Sequence, residues 1–488
     1  MVPGLFSISS NKFQSAPHYG RFRIHSRTGV GAKNRNGVHL TQEEQLILLL
    51  VRGTMSQLVR EQALALLATP LRWELILEHA INEEIYPLVN RNLRKLESTE
   101  HGAGSGEQGT SGKGQRAESN EPGISDGGLR IPKWPISGAN EPREENGNLA
   151  LPIIPKDEAR EQLHKRYKIN AFRNTLLTEE LARVLRVLSD AGIPAITLKG
   201  PALAQALYGD PTLRSCVDLD ILVPRSMVGR AFNLLRAKGY AGEFAPGFFA
   251  DLLLRHDIEY GLRRSEHGFD YMVELHWGVS WGGKAEQTIT DQLWADAYPT
   301  TVFGAPAYAL SPEWQILFLA AHAARHQWQG LKWLVDLHEL YSAPNVDWEK
   351  LDKKAKQLGW QELLRISFLA CHSLFETPIP AKYLGGELPS WIKLFPQSAP
   401  AHLNGAFFAT RLLQTRLDKL RYAARVLLIP TLAELRLVRL PKLLSFLYYP
   451  LRPVRLMCKW SWALLAKSKA QRGKSRSLDE SASITIAG

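Results

Sequence analysis

The chain has 488 residues, 45% of them hydrophobic and 22% charged, which is room for roughly two to four folded units and excludes a wholly disordered, collagen-like or coiled-coil protein. Three widely spaced cysteines, Cys216, Cys371 and Cys458, are too few for a disulfide scaffold or a cysteine-based zinc site, so a reduced, cytoplasmic setting is expected. The formal charge of +12 is unevenly placed: residues 405–476 carry 16 Lys and Arg against only Asp418 and Glu434, a net +14, which leaves −2 for everything else.

Residues 1–40 are polar and rich in Gly, Ser and Arg, with no apolar run long enough for a signal peptide, and read as a disordered tail. Apolar residues then recur at helical spacing through 41–96, an N-terminal helical region ending near Leu96. Residues 97–157 are a low-complexity linker or insertion dominated by Gly, Ser, Glu, Asn and Pro. Gly104, Gly106 and Gly109 spell a dinucleotide-binding pattern there, but no strand precedes them and no helix follows. Gly112-Lys113 imitates a phosphate loop, yet Glu107 stands at the position of its first glycine and Gly114 where Ser or Thr is needed.

Over 158–191 the spacing predicts a long helix with Phe172, Leu176, Leu177, Leu181, Val184, Leu185 and Leu188 on one side and Gly192 as its stop. A strand AITL, a Lys199-Gly200 turn and a helix opening on Pro201 follow, then the loop DPTLRSCV and the strand DLDILV, ended by Pro224. Another amphipathic helix runs to Lys238 and is closed by Gly239. IEYGL and YMVELHW read as two strands flanking a turn-like RRSEHGFD. From Ser311 to about Leu374 the pattern is helical. The order predicts an α+β fold, a small mixed β-sheet with helical companions. It divides into a core at 158–300, a helical region at 301–385, a basic amphipathic region at 386–470 and a disordered tail at 471–488.

The sharpest chemical signal is Asp218-Leu219-Asp220 on a strand, because alternation puts both carboxylates on one face. Adjacent carboxylates repel, and a divalent cation with oxygen ligands, magnesium or manganese, relieves that repulsion. The plainer reading of such a pair is a solvated strand edge. Context favours the cation: Lys199-Gly200 at a strand-to-helix junction aims N–H groups at one point, with Lys199 and Arg214 adding positive charge for phosphates. Glu274, on a strand with His276 on the same face, supplies a third carboxylate if the two strands are neighbours.

LKGPALAQALYGDPTLRSCVDLDILV followed by VELHW resembles the DNA polymerase beta-like nucleotidyltransferase superfamily. It is similar in particular to the uncharacterised bacterial family called nucleotidyltransferase type 5, as are HAARHQWQGLKWLVDLHEL (322–340) and WELILEHAINEEIYPLV. The resemblance covers roughly 41–96 and 158–385, with a weaker echo in LYYPLRPVRL. It implies a small mixed-sheet nucleotidyltransferase core between N- and C-terminal helical regions. It also implies metal-dependent transfer of a nucleotidyl group from a nucleoside triphosphate to an acceptor hydroxyl. Asp218, Asp220 and Glu274 would be catalytic and hold magnesium or manganese, with Glu274 as general base and Glu259 in reserve. Lys199, Gly200 and Arg214 would bind the nucleotide. Lys199-Gly200-Pro201 departs from the Gly-Ser or Gly-Gly usual at this turn, and the 18 residues from Gly200 to Asp218 form a long gap. A catalytically degenerate binding or scaffold protein and a nucleic-acid-modifying enzyme are the alternatives.

His322 and His326 stand four apart on a helix, a zinc-compatible spacing without the Glu of a zinc protease, and read with His276 as groups around the metal ligands. Trp314, Trp328 and Trp333 read as core or groove-lining residues. Residues 405–476 alternate apolar clusters with Arg and Lys but hold no run of about 20 apolar residues. They fit either peripheral docking on an anionic membrane, at the inner face, or a packed helical subdomain. Contact with nucleic acid is the weaker reading, since no binding motif supports it.

Overall fold

A computed structural model describes residues 32–33, 39–102, 153–242, 257–279, 286–395, 410–413, 415–459 and 461. The tails expected at 1–40 and 471–488, and the low-complexity stretch 97–157 with its two glycine-rich look-alikes, lie wholly or largely outside these residues.

The chain folds as a mixed α+β protein. Strands β1 (Ala32–Lys33) and β2 (His39–Leu40) pair with each other, and helices α1 (Gln42–Leu50), α2 (Gln57–Leu67), α3 (Trp73–Asn82) and α4 (Tyr86–Gly102) follow. Thr41 and Glu44 close a reciprocal capping box that starts α1. Helix α5 runs over Lys156–Asp190. Its C-terminal half buries Leu177, Leu181, Val184, Leu185 and Leu188, whereas Phe172, expected on that face, is 51% exposed. Asn170 and Asn174 take the inward positions instead. Their side-chain amides donate to Thr212 O at 2.8 Å and to Pro211 O and Arg214 O at 2.6 and 2.7 Å, tying down a loop whose carbonyls would otherwise be buried without partners.

The central sheet has seven strands among the described residues: β3 (Ile196–Thr197), β4 (Leu219–Leu222), β5 (Ala241–Gly242), β6 (Glu259–Glu266), β7 (Phe269–His276), β8 (Tyr298–Val302) and β9 (Ala305–Ala309), in spatial order β5-β6-β7-β4-β3-β9-β8. The β4–β7 and β3–β9 pairs are parallel and the others antiparallel. β6 and β7 run farther than the turn-like RRSEHGFD implies: only His267 and Gly268, at φ +48° and +78°, form the turn. Two positive φ values make a two-residue turn whose twist matches the strands it joins. Phe303 and Gly304, at φ +49° and +73°, join β8 to β9 in the same way, so the sheet continues past residue 300 to Ala309.

Helices α6 (Pro201–Tyr208), α7 (Val228–Ala237) and α8 (Glu286–Asp296) connect strands. Then come α9 (Pro312–Arg325), α10 (Leu331–Ser342), α11 (Trp348–Leu358) and α12 (Gln361–Phe375). Two cores result. Ile196, Leu198 and Leu222, on one face, join α1, α3, α4 and α9–α12. Leu219, Ile221, Val223, Val273 and Leu275, on the other, pack on α5 and α7. Alternation along β4 assigns its residues to the two cores by turns.

His338 lies deep in the helical core, its ring 5.0 Å from that of Phe375 and Nδ1 2.9 Å from Thr377 Oγ1. Burial, aided by Arg52, pulls its pKa down to about 3. A pKa depressed on folding means that unfolding takes up a proton once the pH drops below the unfolded value of about 6.5, so this contribution to stability is complete above that pH and drains below it. Denaturant titrations should show His338 alone costing about 2 kcal/mol between pH 7 and pH 5, and a His338→Gln variant should lose less stability over that interval than the native chain.

Candidate active site

The cleft forms where the carboxyl end of β4 meets the strand-to-helix turn after β3. Leu198 N–H bonds to Asp220 O at 3.1 Å, bringing Lys199 and Gly200 beside the start of β4. Gly200 has φ +78°, and a Cβ there would come within 3.4 Å of the Asp218 carbonyl, so glycine serves both the left-handed backbone and the close approach. Pro201 then opens α6, its fixed φ suited to a first helical residue and its missing N–H costing nothing there.

The parallel register pairs Asp220 with Glu274 and Leu222 with His276, and the antiparallel register pairs His276 with Glu259. Residues paired across neighbouring strands share a face, so Asp218, Asp220, Glu274, His276 and Glu259 converge. Lys199 Nζ lies 2.6 Å from Asp220 Oδ2 and 3.2 Å from Asp218 Oδ1. His276 Nε2 lies 3.1 Å from Asp220 Oδ1 and 3.8 Å from Glu274 Oε2, while its Nδ1 is 3.4 Å from Glu259 Oε2. Arg325, from α9, reaches the same Glu259 oxygen at 3.5 Å. Phe318, Ala321, His322 and Arg325 form the helical wall of the cleft.

Burial opposes the charge on Asp220, but Lys199 and His276 outweigh it and hold the carboxyl well below the usual carboxylate range. Burial likewise opposes the Lys199 ammonium, and Asp218, Asp220 and Glu274 overcome it, raising its affinity for the proton. Glu274 lacks so close a cation: burial, then repulsion from Asp218 and Asp220, pushes its carboxyl up to about 9. Burial, with Lys199 nearby, pushes the His322 imidazole well below its ordinary value, which keeps it neutral. Four carboxyl groups thus face two fixed cations, Lys199 and Arg325; their oxygen donors fit a divalent cation, whose charge would relieve the repulsion that raises Glu274.

Not every expected residue lies at the cleft. Arg214 is 5% exposed, its Nε 2.9 Å from Asp336 Oδ2 on α10, an oxygen pair completed by Tyr208, which donates to Asp336 Oδ1 at 2.8 Å. The expected phosphate contact is therefore corrected: Arg214 is a buried tie between the 210–217 loop and the helical core. His326 sits behind the cleft wall, its ring 4.9 Å from that of His322 and stacked on Trp333 at 4.1 Å. Trp314 and Trp328 are fully buried, donating to Asp296 Oδ2 at 2.8 Å and Ser367 Oγ at 2.9 Å. Phe318 and Arg325 were missed by sequence reasoning, although their spacing of four and three from His322 is the signature of one helix face.

Removing one member of a buried ion pair leaves the other uncompensated, at a cost of about 3–5 kcal/mol. An Arg214→Met variant should lose stability on that scale in denaturant titrations, and restoring a charge with Arg214→Lys should recover part of it.

No curated protein matches the chain. Among solved structures, the chain is similar to an antigenic nucleotidyltransferase-like protein from Paracoccidioides brasiliensis, at 19% identity over 42% of this chain and 93% of that one, with a TM-score of 0.26. The family described as "Uncharacterised nucleotidyltransferase" matches residues 69–376, a span that contains the whole cleft and the helices around it, and the chain belongs to that family.

Proposed function

We propose that this chain transfers a nucleoside monophosphate group from a nucleoside triphosphate to an acceptor hydroxyl on a small molecule, a glycan or peptide precursor, or a protein. The hydroxyl oxygen attacks the α-phosphorus, the bond to the bridging oxygen breaks, and pyrophosphate leaves. The observation that supports this most is the Asp220–Glu274 pairing in register, beside Asp218, in a chain of a nucleotidyltransferase family. Asp218, Asp220 and Glu274 would hold magnesium or manganese, which neutralises triphosphate charge and activates the acceptor. Glu274, its carboxyl brought back toward the ordinary range by a bound cation, would accept the hydroxyl proton, with Glu259, which lies opposite His276 across the hairpin, in reserve. Lys199, Arg325 and the backbone at Gly200 orient the phosphates.

Incubation with each labelled nucleoside triphosphate, divalent metal and cell extract should label an acceptor and release pyrophosphate. An Asp218→Asn/Asp220→Asn double variant should fall by roughly 100-fold or more. Equal labelling by both proteins overturns the transfer reading. It would favour the degenerate scaffold, for which one observation speaks: Lys199 pairs with both aspartates.

The basic C-terminal region supports a docking role. Part of it is anchored, with Leu435 and Tyr448 in the second core and buried Glu434 paired to Arg452 at 3.1 Å. The preceding helix α13 (Arg416–Leu428) turns Leu417, Leu420, Leu427 and Leu428 outward on one stripe, with Arg416, Arg421 and Arg425 alongside. No helix among the described residues is long and apolar enough to cross a membrane. An apolar stripe edged with bases suits the surface of an anionic bilayer, peripheral at the inner face. The full chain should float with vesicles containing phosphatidylserine and not with neutral ones, and Leu420→Glu/Leu427→Glu should weaken binding roughly tenfold or more. Equal binding to both vesicle types rules this out.

A further inference from the structure

Helix α13 lies at the edge of the cleft, outside the 69–376 span of the family. Asp257 immediately precedes Ile258 and Glu259, which line the cleft. Burial pushes the Asp257 carboxyl up, and Arg325, from the cleft wall, and Arg425, from α13, both act against that. Burial also raises the half-buried Tyr422 phenol of α13, and the same two arginines oppose it. Arg425 and Tyr422 are thus neighbours of the cleft rim. At roughly 100° per residue, Tyr422 stands nearly opposite the stripe of Leu417, Leu420, Leu427 and Leu428, with Arg425 between the two. One side of the helix meets the cleft and the other is apolar and exposed.

The apolar surface continues along the chain. Leu443 is 89% exposed, Leu437 and Phe446 also point outward, and Arg436 and Arg439 are exposed among them. Arg452 joins this segment to α13: its Nε donates to Val426 O at 3.1 Å while its guanidinium pairs with Glu434.

Dimensions connect the two sides. A helix with its side chains is about 10–12 Å across, and one lying on a bilayer sinks its apolar face about 5–10 Å into the boundary between headgroups and acyl chains. The headgroup layer itself is roughly 5–8 Å deep on each side. With the leucines of α13 at that boundary, the cleft rim on its opposite side sits about one helix diameter away, at the outer edge of the headgroups. The net +14 of residues 405–476 draws the chain to anionic lipid, and Arg425 offers a lipid phosphate a charge-assisted hydrogen bond at the rim.

We propose that the acceptor hydroxyl belongs to the headgroup of a membrane lipid, one that joins a phosphate to free hydroxyls, presented to the cleft by the bilayer on which α13 docks. This rests on the transfer and docking readings and names the substrate they share. Arg425 takes the lipid phosphate. The headgroup oxygen bonds to the α-phosphorus of the nucleotide as the bond to the bridging oxygen breaks; the hydroxyl proton passes to Glu274 and pyrophosphate leaves. The product is a phosphodiester between nucleoside and lipid.

The test gives the full chain labelled nucleoside triphosphate, divalent metal and one of three preparations: vesicles of total membrane lipid, vesicles of phosphatidylserine and phosphatidylcholine, whose headgroups carry no hydroxyl, or the soluble fraction of a cell extract. Label should enter the organic phase with total lipid and not with the second vesicles. Leu420→Glu/Leu427→Glu should cut lipid labelling roughly tenfold or more on vesicles and regain it when the same lipid is dispersed in detergent, which bypasses docking. Arg425→Gln, with vesicles in excess so that docking is complete, should lower labelling roughly tenfold. Label confined to the soluble fraction, or lipid labelling unchanged in both variants, overturns the proposal and leaves the transfer reading standing. No label with any preparation overturns the transfer reading and this one with it.

Discussion

A carboxylate that is 1% exposed cannot stay ionised without partners, and Asp220 on the central strand is such a group. The surroundings of the cleft follow from meeting that demand. Lys199 answers one oxygen and His276 approaches the other; Gly200 lets the Lys199 turn close against the backbone of Asp218; Glu259 faces the far nitrogen of His276; and Arg325 brings the covering helix to Glu259. A line of polar contacts thus runs from the middle of the sheet to α9. Such a network is costly to assemble and more costly to leave half made, which explains why so many elements converge on one strand end.

The same strand divides the molecule. Leu222 and Asp220 face the helical core shared by α1–α4 and α9–α12, and Leu219 and Ile221 face the core under α5 and α7. The N-terminal helices are therefore structural partners of α9, the wall of the cleft, although more than 200 residues separate them in the chain. The family match over 69–376 takes in α3, α4 and α9 and begins after α1 and α2. Arg214 and Asp336 are the polar rivet of that unit, joining the loop before β4 to α10.

The basic region behaves as two pieces. Glu434, 0% exposed, gathers Arg452 and Arg455 and fixes a short stretch against the second core, so two of the region's 16 Lys and Arg are tied to a buried acid. Helix α13 instead carries its leucines outward. A single net charge over residues 405–476 cannot reveal this split, because it counts a buried arginine and an exposed one alike.

Local pattern carried a large part of this protein. Alternation put Asp218 with Asp220 and Glu274 with His276, helical spacing outlined α5 and α9, and the glycine after Lys199 marked a turn, because these are properties of neighbouring residues in one chain segment. The long β6–β7 strands, the β8–β9 hairpin and the direction of Phe172 were not legible. Turn residues such as His267 and Phe303 adopt positive φ only because the strands around them pair, and Phe172 yields the inward face because Asn170 and Asn174 have loop carbonyls to meet. The sequence by itself determined which residues could do chemistry and which shared a face. Only the tertiary structure decided their partners: that β4 lies beside β7 in the register setting Asp220 against Glu274, that Lys199 turns to the aspartates, and that Arg214 spends its charge on Asp336. Pairing between distant segments is set by burial and register across the whole fold, and no local spacing encodes it.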